Sequence, residues 1–464
     1  MRLKAFFAAD GDCLLLTTAD GRHVLVDGGR TGSFRENARP HLAELADAGE
    51  EVDLLVVSHI DADHISGVID LLEEVAAWEV HDFQVGEGQN PTFPEPPTPR
   101  PPRIHGLWHN SWRAQLGDLE GPITALAAQA SEALSLATST VEDSDGAARL
   151  ALDSVSGLAE SIADGVTLLR LVDDETPIRR NEPFGSGLVL LRSPVHEQQV
   201  GSATLHVIGP GEQHLRKLRE EWKAWLTRQP SSVRRGGQRP GGQEDGHENA
   251  GSTLPMSPPQ ARDLVEDLAQ AAQAAAVGED ADAHDTSARP RIIETTRPTN
   301  VTTPNRASIT LLVEEDGRTL LLTGDAAEEE ILEGLTASGR LPAQDPEANP
   351  FRCNVVKVQH HGSEHNLSRV FASRVLADHY VLSADGAHGN PNPSVVHTLI
   401  ETRAEADPSP FTLWFTCSEE RTIPQRRKAM RAALKEARRL ESRHTGQVTV
   451  TVLADDQPFL EIEV

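Results

Sequence analysis

Residues 58–67 read SHIDADHISG and follow directly on the apolar run VDLLVV of residues 52–57. His59, Asp61, Asp63 and His64 therefore fall within six positions at the mouth of a buried strand. Nitrogen and oxygen lone pairs at alternating and adjacent positions of a short loop can converge on one small volume, which is what a divalent cation requires. The competing reading is a polar loop that caps the next helix, with Asp61 or Asp63 at the N-cap. A lone His-x-Asp would be read that way. His-x-Asp-x-Asp-His after a buried strand favours a metal site.

The flanking sequence alternates short apolar runs with turn residues. LKAFFA, CLLLTT and HVLVDGG read as strands separated by turns at Gly11-Asp12 and Asp20-Gly21, a hairpin signature. A helix is expected from about Asn37 to Ala48, and another over ISGVIDLLEEVAAW, where apolar residues recur at helical spacing. Residues 1–88 thus form the first half of a strand-rich domain. Residues 89–103 (QNPTFPEPPTPRPPR) carry too many prolines for a helix or an interior strand. With the Ala- and Leu-rich stretch from Leu116 to about Leu171, they make 89–200 a connector followed by a helical insertion. A strand (ATLHVIGP) and a helix (GEQHLRKLREEWKAWL) return the chain to the core over 201–228. Residues 229–304, rich in Gly, Pro, Ser, Gln and charge around one Ala-rich helix, read as a flexible insertion. The second half, 305–464, resumes with ASITLLVEEDGRTLLLTGDA, two strands around Asp316-Gly317, then VVKVQHHGS, HYVLSADG and FTLWFTC.

Composition bounds the function. A formal charge of -28 over 464 residues repels phosphates at long range, so any phosphate-directed chemistry needs local positive charge. Candidates for it are Arg427, Arg431, Lys435 and Arg438, on one face of a helix expected after Pro424, and Arg234, Arg235 and Arg239 in the Gly-rich insertion. A solvated face is the commoner explanation of such a row. Cys13, Cys353 and Cys417 are odd in number and far apart, which indicates neither a disulfide framework nor a zinc-thiolate site. Nowhere do eighteen apolar residues run together, and no long apolar segment precedes Asp10. The expectation is a cytoplasmic protein with no membrane contact.

SHIDADHISG, with VDGG upstream and LLTGD and VKVQHHGS downstream, resembles the metallo-β-lactamase superfamily. The opening AADGDCLLL, the segment NRASITLLV and the stretch SADGAHGNPNPS narrow the resemblance to the branch that contains the metallo-hydrolase domain of the DNA-uptake competence protein ComEC. It covers about residues 1–88 and 305–400. It implies an α/β fold, the αββα sandwich, interrupted here by the two insertions, with two divalent ions at one edge of the sheets. Carried over, His59, Asp61, Asp63 and His64 are ligands, Asp325 bridges two ions, and Asp27 orients ligands from behind. His360, nearest the strand end, is the expected ligand of its pair, with His361 supporting it or donating a proton, or the two exchanged. Asp63, His361 and His388 are expected to take part in catalysis, one of the two histidines protonating the leaving oxygen.

Most hydrolytic members carry His where this chain has Asp61, and a further His motif has no counterpart here. The resulting oxygen-rich site shifts preference from Zn²⁺ toward Mn²⁺ or Mg²⁺. The resemblance implies a phosphodiesterase or nuclease acting on nucleic acid or a related phosphodiester through a hydroxide activated by two ions. It further suggests a place in a bacterial multicomponent system, such as defence against foreign DNA, with the insertions contacting protein partners. A thioester, lactone or β-lactam hydrolase is the alternative enzyme, and a partner-binding component without catalysis is the alternative outside enzymology. His109, Asn110 and His206 read as packed structural residues. His388 and Asn390 are read as either structural or in contact with substrate.

Overall fold

The computed structural model describes residues 1–110, 164–185, 187–217, 219–220, 290–296, 303–344 and 349–464. The helices expected between Leu116 and residue 163, the Ala-rich helix at 261–276 and Arg234, Arg235 and Arg239 lie outside the described residues. Before the first long insertion come β1 (Arg2–Phe6), β2 (Leu14–Thr17), β3 (His23–Val26), β4 (Leu54–Val57) and β5 (Gly106–His109). Then follow β6 (Arg179–Arg180), β7 (Glu197–Val200), β8 (Ala203–Gly209), β9 (Thr310–Glu315) and β10 (Arg318–Leu322). The last are β11 (Phe351–Lys357), β12 (Val375–Leu382), β13 (Phe411–Phe415), β14 (Val448–Val452) and β15 (Phe459–Glu463). Among the described residues they form two sheets, ordered β15-β1-β2-β3-β4-β5-β6 and β14-β13-β12-β11-β10-β9-β8-β7.

Period-2 alternation decides how the sheets stack. In β4, Leu54 and Val56 face one way and Leu55 and Val57 the other; in β10, Leu320 and Leu322 oppose Leu321. Leu54, Val56, Leu320 and Leu322 belong to one apolar layer shared by both sheets. Leu55 and Val57 pack instead beneath helices α1 (Arg39–Asp47) and α2 (Ala62–Val85). Leu321 packs beneath α3 (Glu328–Ala337), α4 (Arg369–Arg374), α5 (Pro393–Ala406) and α6 (Arg427–Arg443). Strands apolar on both faces need cover on both, and the result is an αββα sandwich. Asp316 and Gly317 both take positive φ, 51° and 77°, in the two-residue turn joining β9 to β10, as the Asp-Gly signal predicts.

Two sequence readings shift. The stretch 89–200, read as connector and helical insertion, also supplies β5 and β6 at one end of the first sheet and β7 at the edge of the second. These strands are only 2–4 residues long, too short to register as periodic runs. Helix α2 begins at Ala62, with Asp61 at its N-cap position, so Asp63 and His64 stand on its first turn and not on a loop. Asp61 holds the N-cap position without a side-chain capping bond, so the capping reading does not account for its carboxylate. The helix at 421–444 forms as α6, and two of its basic row are in ion pairs, Arg431 with Glu419 and Arg438 with Glu441, while Arg427 donates to the Thr422 and Glu420 carbonyls. Among the described residues no helix is long and apolar enough to cross a membrane.

Strand direction positions the site. β3 and β4 run parallel, as do β10, β11 and β12, so the chain leaves all of them at one edge of the sandwich. Asp27, His59, Asp325, His360, His361 and Asp385 follow those strand ends. The two sheets are tied there by the Ile309 N–H, which donates to the Ser58 carbonyl at 2.9 Å.

Candidate metal centre

Asp12, His64, Asp325 and His361 are all buried, and each offers a ligand atom within 4.8 Å of the others. Their order around the centre follows from the hydrogen bonds behind them. Asp27, at φ 58°, accepts from the Ser58 N–H and Ser58 hydroxyl, both at 2.7 Å, and from His64 Nδ1 at 2.8 Å. That fixes the His64 tautomer and turns Nε2 inward, 3.4 Å from Asp325 Oδ1 and 3.3 Å from His361 Nε2. His361 is held likewise: Nδ1 donates to the Ser383 carbonyl at 2.8 Å, and Nε2 lies 3.2 Å from Asp63 Oδ2 and 3.3 Å from Asp325 Oδ2.

Of the paired histidines, His361 reaches the cluster, and His360, the expected ligand, stands at its side. His360 Nδ1 donates to Asn366 Oδ1 at 2.7 Å and its Nε2 lies 3.2 Å from Asn305 Nδ2 and 3.7 Å from Asp325 Oδ2. Both histidines occupy the left-handed region, φ 45° and 54°, a conformation that costs a residue with a Cβ about 1–2 kcal/mol and points successive side chains apart. Nearness to the strand end does not reveal that twist. His59 and Asp61 lie outside the four-residue cluster: His59 Nε2, buried without a hydrogen-bond partner, is 3.5 Å from Asp61 Oδ2. Asp63 touches the cluster through His361. His388 is exposed and lines the cleft outside it, together with Asn390. His109 pairs in register with Val57 and so faces the helix-covered side; burial pushes its imidazole down to about 3.

Sequence reasoning missed two residues. Asp12 was read only as part of a turn. Its neighbour Gly11 has no room for a Cβ, which would meet the Asp63 carbonyl oxygen at 1.6 Å. Glycine there lets the 8–12 loop press on the start of α2 and delivers Asp12 to the centre. Lys357, inside the quoted VKVQHHGS, is fully buried: Nζ contacts Asp12, donates to the Gly324 carbonyl at 3.1 Å and lies 3.6 Å from Asp325 Oδ1. The acid-rich Asp-Gly-Asp before an apolar strand was the available signal for Asp12. A lysine in a strand reads as solvent-facing and gave none.

Asp12 Oδ1, Asp325 Oδ1 and His59 Nε2 are buried with no hydrogen-bond partner. Unsatisfied acceptors converging beside oriented imidazoles fit a cation. Burial favours neutral forms, yet mutual charge wins. His64 is raised well above its ordinary value against burial by Asp325, Asp63 and Asp27, and His361 is raised to about 10 against burial by Asp325 and Asp63. Asp63 and Asp325 are correspondingly held well below theirs, against burial, by His64 and His361.

These shifts set the pH response of chelator-treated protein. The raised histidines contribute stability complete below 6.5 and lost as pH climbs toward about 10; the depressed carboxyls contribute stability complete above 3.8 and lost on acidification. Urea midpoints should be highest between those values and fall on the alkaline side. A midpoint rising steadily from neutral to alkaline pH contradicts the imidazolium-carboxylate cluster.

Residues 8–82 match the family model of the metallo-beta-lactamase superfamily. The match takes in Asp12, Asp27 and the whole of SHIDADHISG, and the fold brings Asp325 and His361 to them from outside it. No curated protein matches the chain. The buried cluster, which could hold a metal ion, is built partly from the matched segment.

Replacing Asp27 with Asn tests the hand that holds His64. Asn tolerates the left-handed backbone but offers one acceptor oxygen where Asp27 uses two. Metal affinity, by competition with a fluorescent chelator, should drop about 10- to 100-fold. Unchanged affinity would remove Asp27 from the supporting role.

Proposed function

We propose that the chain is a phosphodiesterase, in particular a nuclease, working with two divalent ions. The observation that carries the reading is the convergence of Asp12, His64, Asp325 and His361 with Asp12 Oδ1 and Asp325 Oδ1 left unsatisfied. A first ion would be held by these four with Asp63. The second would be held by His59 and Asp61, whose facing atoms lie 3.5 Å apart, and the family resemblance implies that Asp325 would be shared by both. Four carboxylates among these ligands favour Mn²⁺ or Mg²⁺, with Zn²⁺ next. When bound, such a pair supplies Lewis acidity that activates water near neutral pH and offsets charge on the attacked group.

The remaining work falls to the chain's own groups. Asp27 and the Ser383 carbonyl hold two imidazoles in one tautomer, so the ligand atoms are oriented before substrate arrives. His361 has one ring nitrogen on Ser383 and the other in the cluster, which leaves it unsuited to carry a proton to the leaving oxygen. That role is assigned to His388, which is exposed on the cleft wall. The resemblance to the ComEC branch supports nucleic acid as substrate, and the insertions are the proposed contacts for partner proteins.

Metal-loaded protein incubated with single-stranded DNA, duplex DNA, RNA and cyclic dinucleotides, beside a thioester, a lactone and a β-lactam, separates the enzyme readings. Turnover confined to the ester and amide panel overturns the phosphodiesterase. Equal activity of the host system with Asp63→Ala and Asp325→Ala would make the chain a binding component.

A further inference from the structure

The loop that joins β1 to β2 delivers Asp12 to the ligand cluster, and the loop that follows β12 supplies the Ser383 carbonyl that orients His361. A third segment, between β13 and α6, touches both. Arg426, at the N-cap position of α6, donates from Nη1 to Asp385 Oδ2 at 2.6 Å and from Nη2 to Asp10 Oδ2 at 3.4 Å. Both carboxylates are buried, and Asp10 is bonded on its other side by Arg30, Nε to Oδ1 at 2.9 Å. Neighbouring contacts repeat the pattern: the Thr422 hydroxyl donates to the Asp385 carbonyl, and the Arg421 guanidinium lies 4.1 Å from the centre of the Phe7 ring. Gly386, φ 96°, is so close that a Cβ would meet the Arg426 carbonyl oxygen at 2.6 Å. Asp10 stands two residues before Asp12, and Asp385 two residues after Ser383.

We propose that Arg426 is a positioning residue of the metal centre, its one guanidinium setting the spacing between the loop that carries Asp12 and the loop that carries Ser383. The proposal rests on the metal-binding reading of the cluster and is independent of the substrate. Ligand atoms held in place beforehand bind an ion without the ordering cost of fixing their loops as it arrives. Two nitrogens in one rigid plane fix two carboxylates relative to each other, which a single ammonium on a flexible stem does less well. A cation at the head of a helix faces the positive end of the helix dipole, so α6 gains no stability of its own from an arginine there. Residues 421–426 also lie outside the stretch that matches the family model, so the family assigns them no part in the centre.

The sign of the effect on metal binding tests it. Arg426→Gln removes a positive charge near the ligand cluster, and Coulomb attraction alone would then tighten the binding of a cation. Positioning predicts the opposite: affinity for Mn²⁺ and for Zn²⁺, by competition with a fluorescent chelator, should fall about tenfold. Arg426→Lys keeps the charge but offers one nitrogen in place of two, and should weaken both ions about threefold or more, which decides the matter even if Arg426→Gln does not fold. Arg443→Gln removes an exposed charge, paired with Glu401, from the far end of α6 and should change either affinity less than about twofold. Urea midpoints of the metal-free proteins are followed in parallel. If Arg426→Gln lowers the midpoint yet binds the ions as tightly as wild type or more so, or if Arg426→Lys binds them as wild type does, the arginine only braces the fold and the proposal is refuted while the metal centre stands. If wild type binds neither ion, the metal reading fails and the proposal falls with it.

Discussion

Asp325→Asn is expected to lower phosphodiester turnover by about three orders of magnitude, because Lewis-acid stabilisation of a reacting phosphate is worth several kcal/mol and each 1.4 kcal/mol is tenfold. Asp325 is the carboxylate that the other groups share: Oδ1 faces His64 at 3.4 Å and Lys357 at 3.6 Å, Oδ2 faces His361 at 3.3 Å and His360 at 3.7 Å. Amide substitution keeps the shape and the backbone bond from its N–H to Ser308 Oγ at 3.2 Å, but removes the charge that would hold an ion. Elemental analysis of the purified variant should therefore show metal lost together with activity, while far-ultraviolet circular dichroism stays that of wild type. Full metal content with full activity would show that the cluster is not the reacting centre. Loss of the fold would instead mean that Asp325 serves chiefly as counter-charge to the buried imidazoles, and the dichroism separates that outcome.

The sandwich was legible because its strands are apolar on both faces and because Asp-Gly turns punctuate them. LLVV before SHIDADH and LLL before TGD have no polar face to give to water, so each demands cover on two sides. Asp27 and Asp325 were legible for a related reason, since a charged residue just after such a strand sits at its buried mouth, and His64 through the density of His and Asp in SHIDADH. The choice between His360 and His361 was not, since two consecutive left-handed residues follow from the packing of Asn366, Asn305 and Ser383 around them and leave no trace in local spacing. Asp12 was hidden by the ambiguity of Asp-Gly, which serves turns far more often than metals. Only the contact of Gly11 with the backbone of Asp63 tells the two uses apart. The short strands β5 to β7 are set by pairing with strands distant in sequence or in register, a cause that a short window of sequence cannot contain.

Lys357→Met should cost the chelator-treated protein about 3–5 kcal/mol, the usual result of stripping one partner from a buried ion pair. Nζ is fully buried and its pKa is raised, burial being outweighed by Asp12 and then by Asp325. Methionine fills most of the volume, so packing is nearly conserved and the loss isolates the charge. Asp12 would be left with Oδ1 already unpartnered and Oδ2 deprived of its ammonium, two unsatisfied acceptors on one buried carboxylate. The double variant Asp12→Asn with Lys357→Met removes that carboxylate and should recover most of the stability, since replacing both members of a buried pair is far milder than breaking it. Urea unfolding of wild type, both single variants and the double variant closes the cycle. Lys357 would then be the internal counter-charge that holds Asp12 and Asp325 aimed at the centre before any ion arrives. If Lys357→Met unfolds at the wild-type midpoint, the carboxylates are balanced by the imidazoles alone and the lysine is not the counter-charge.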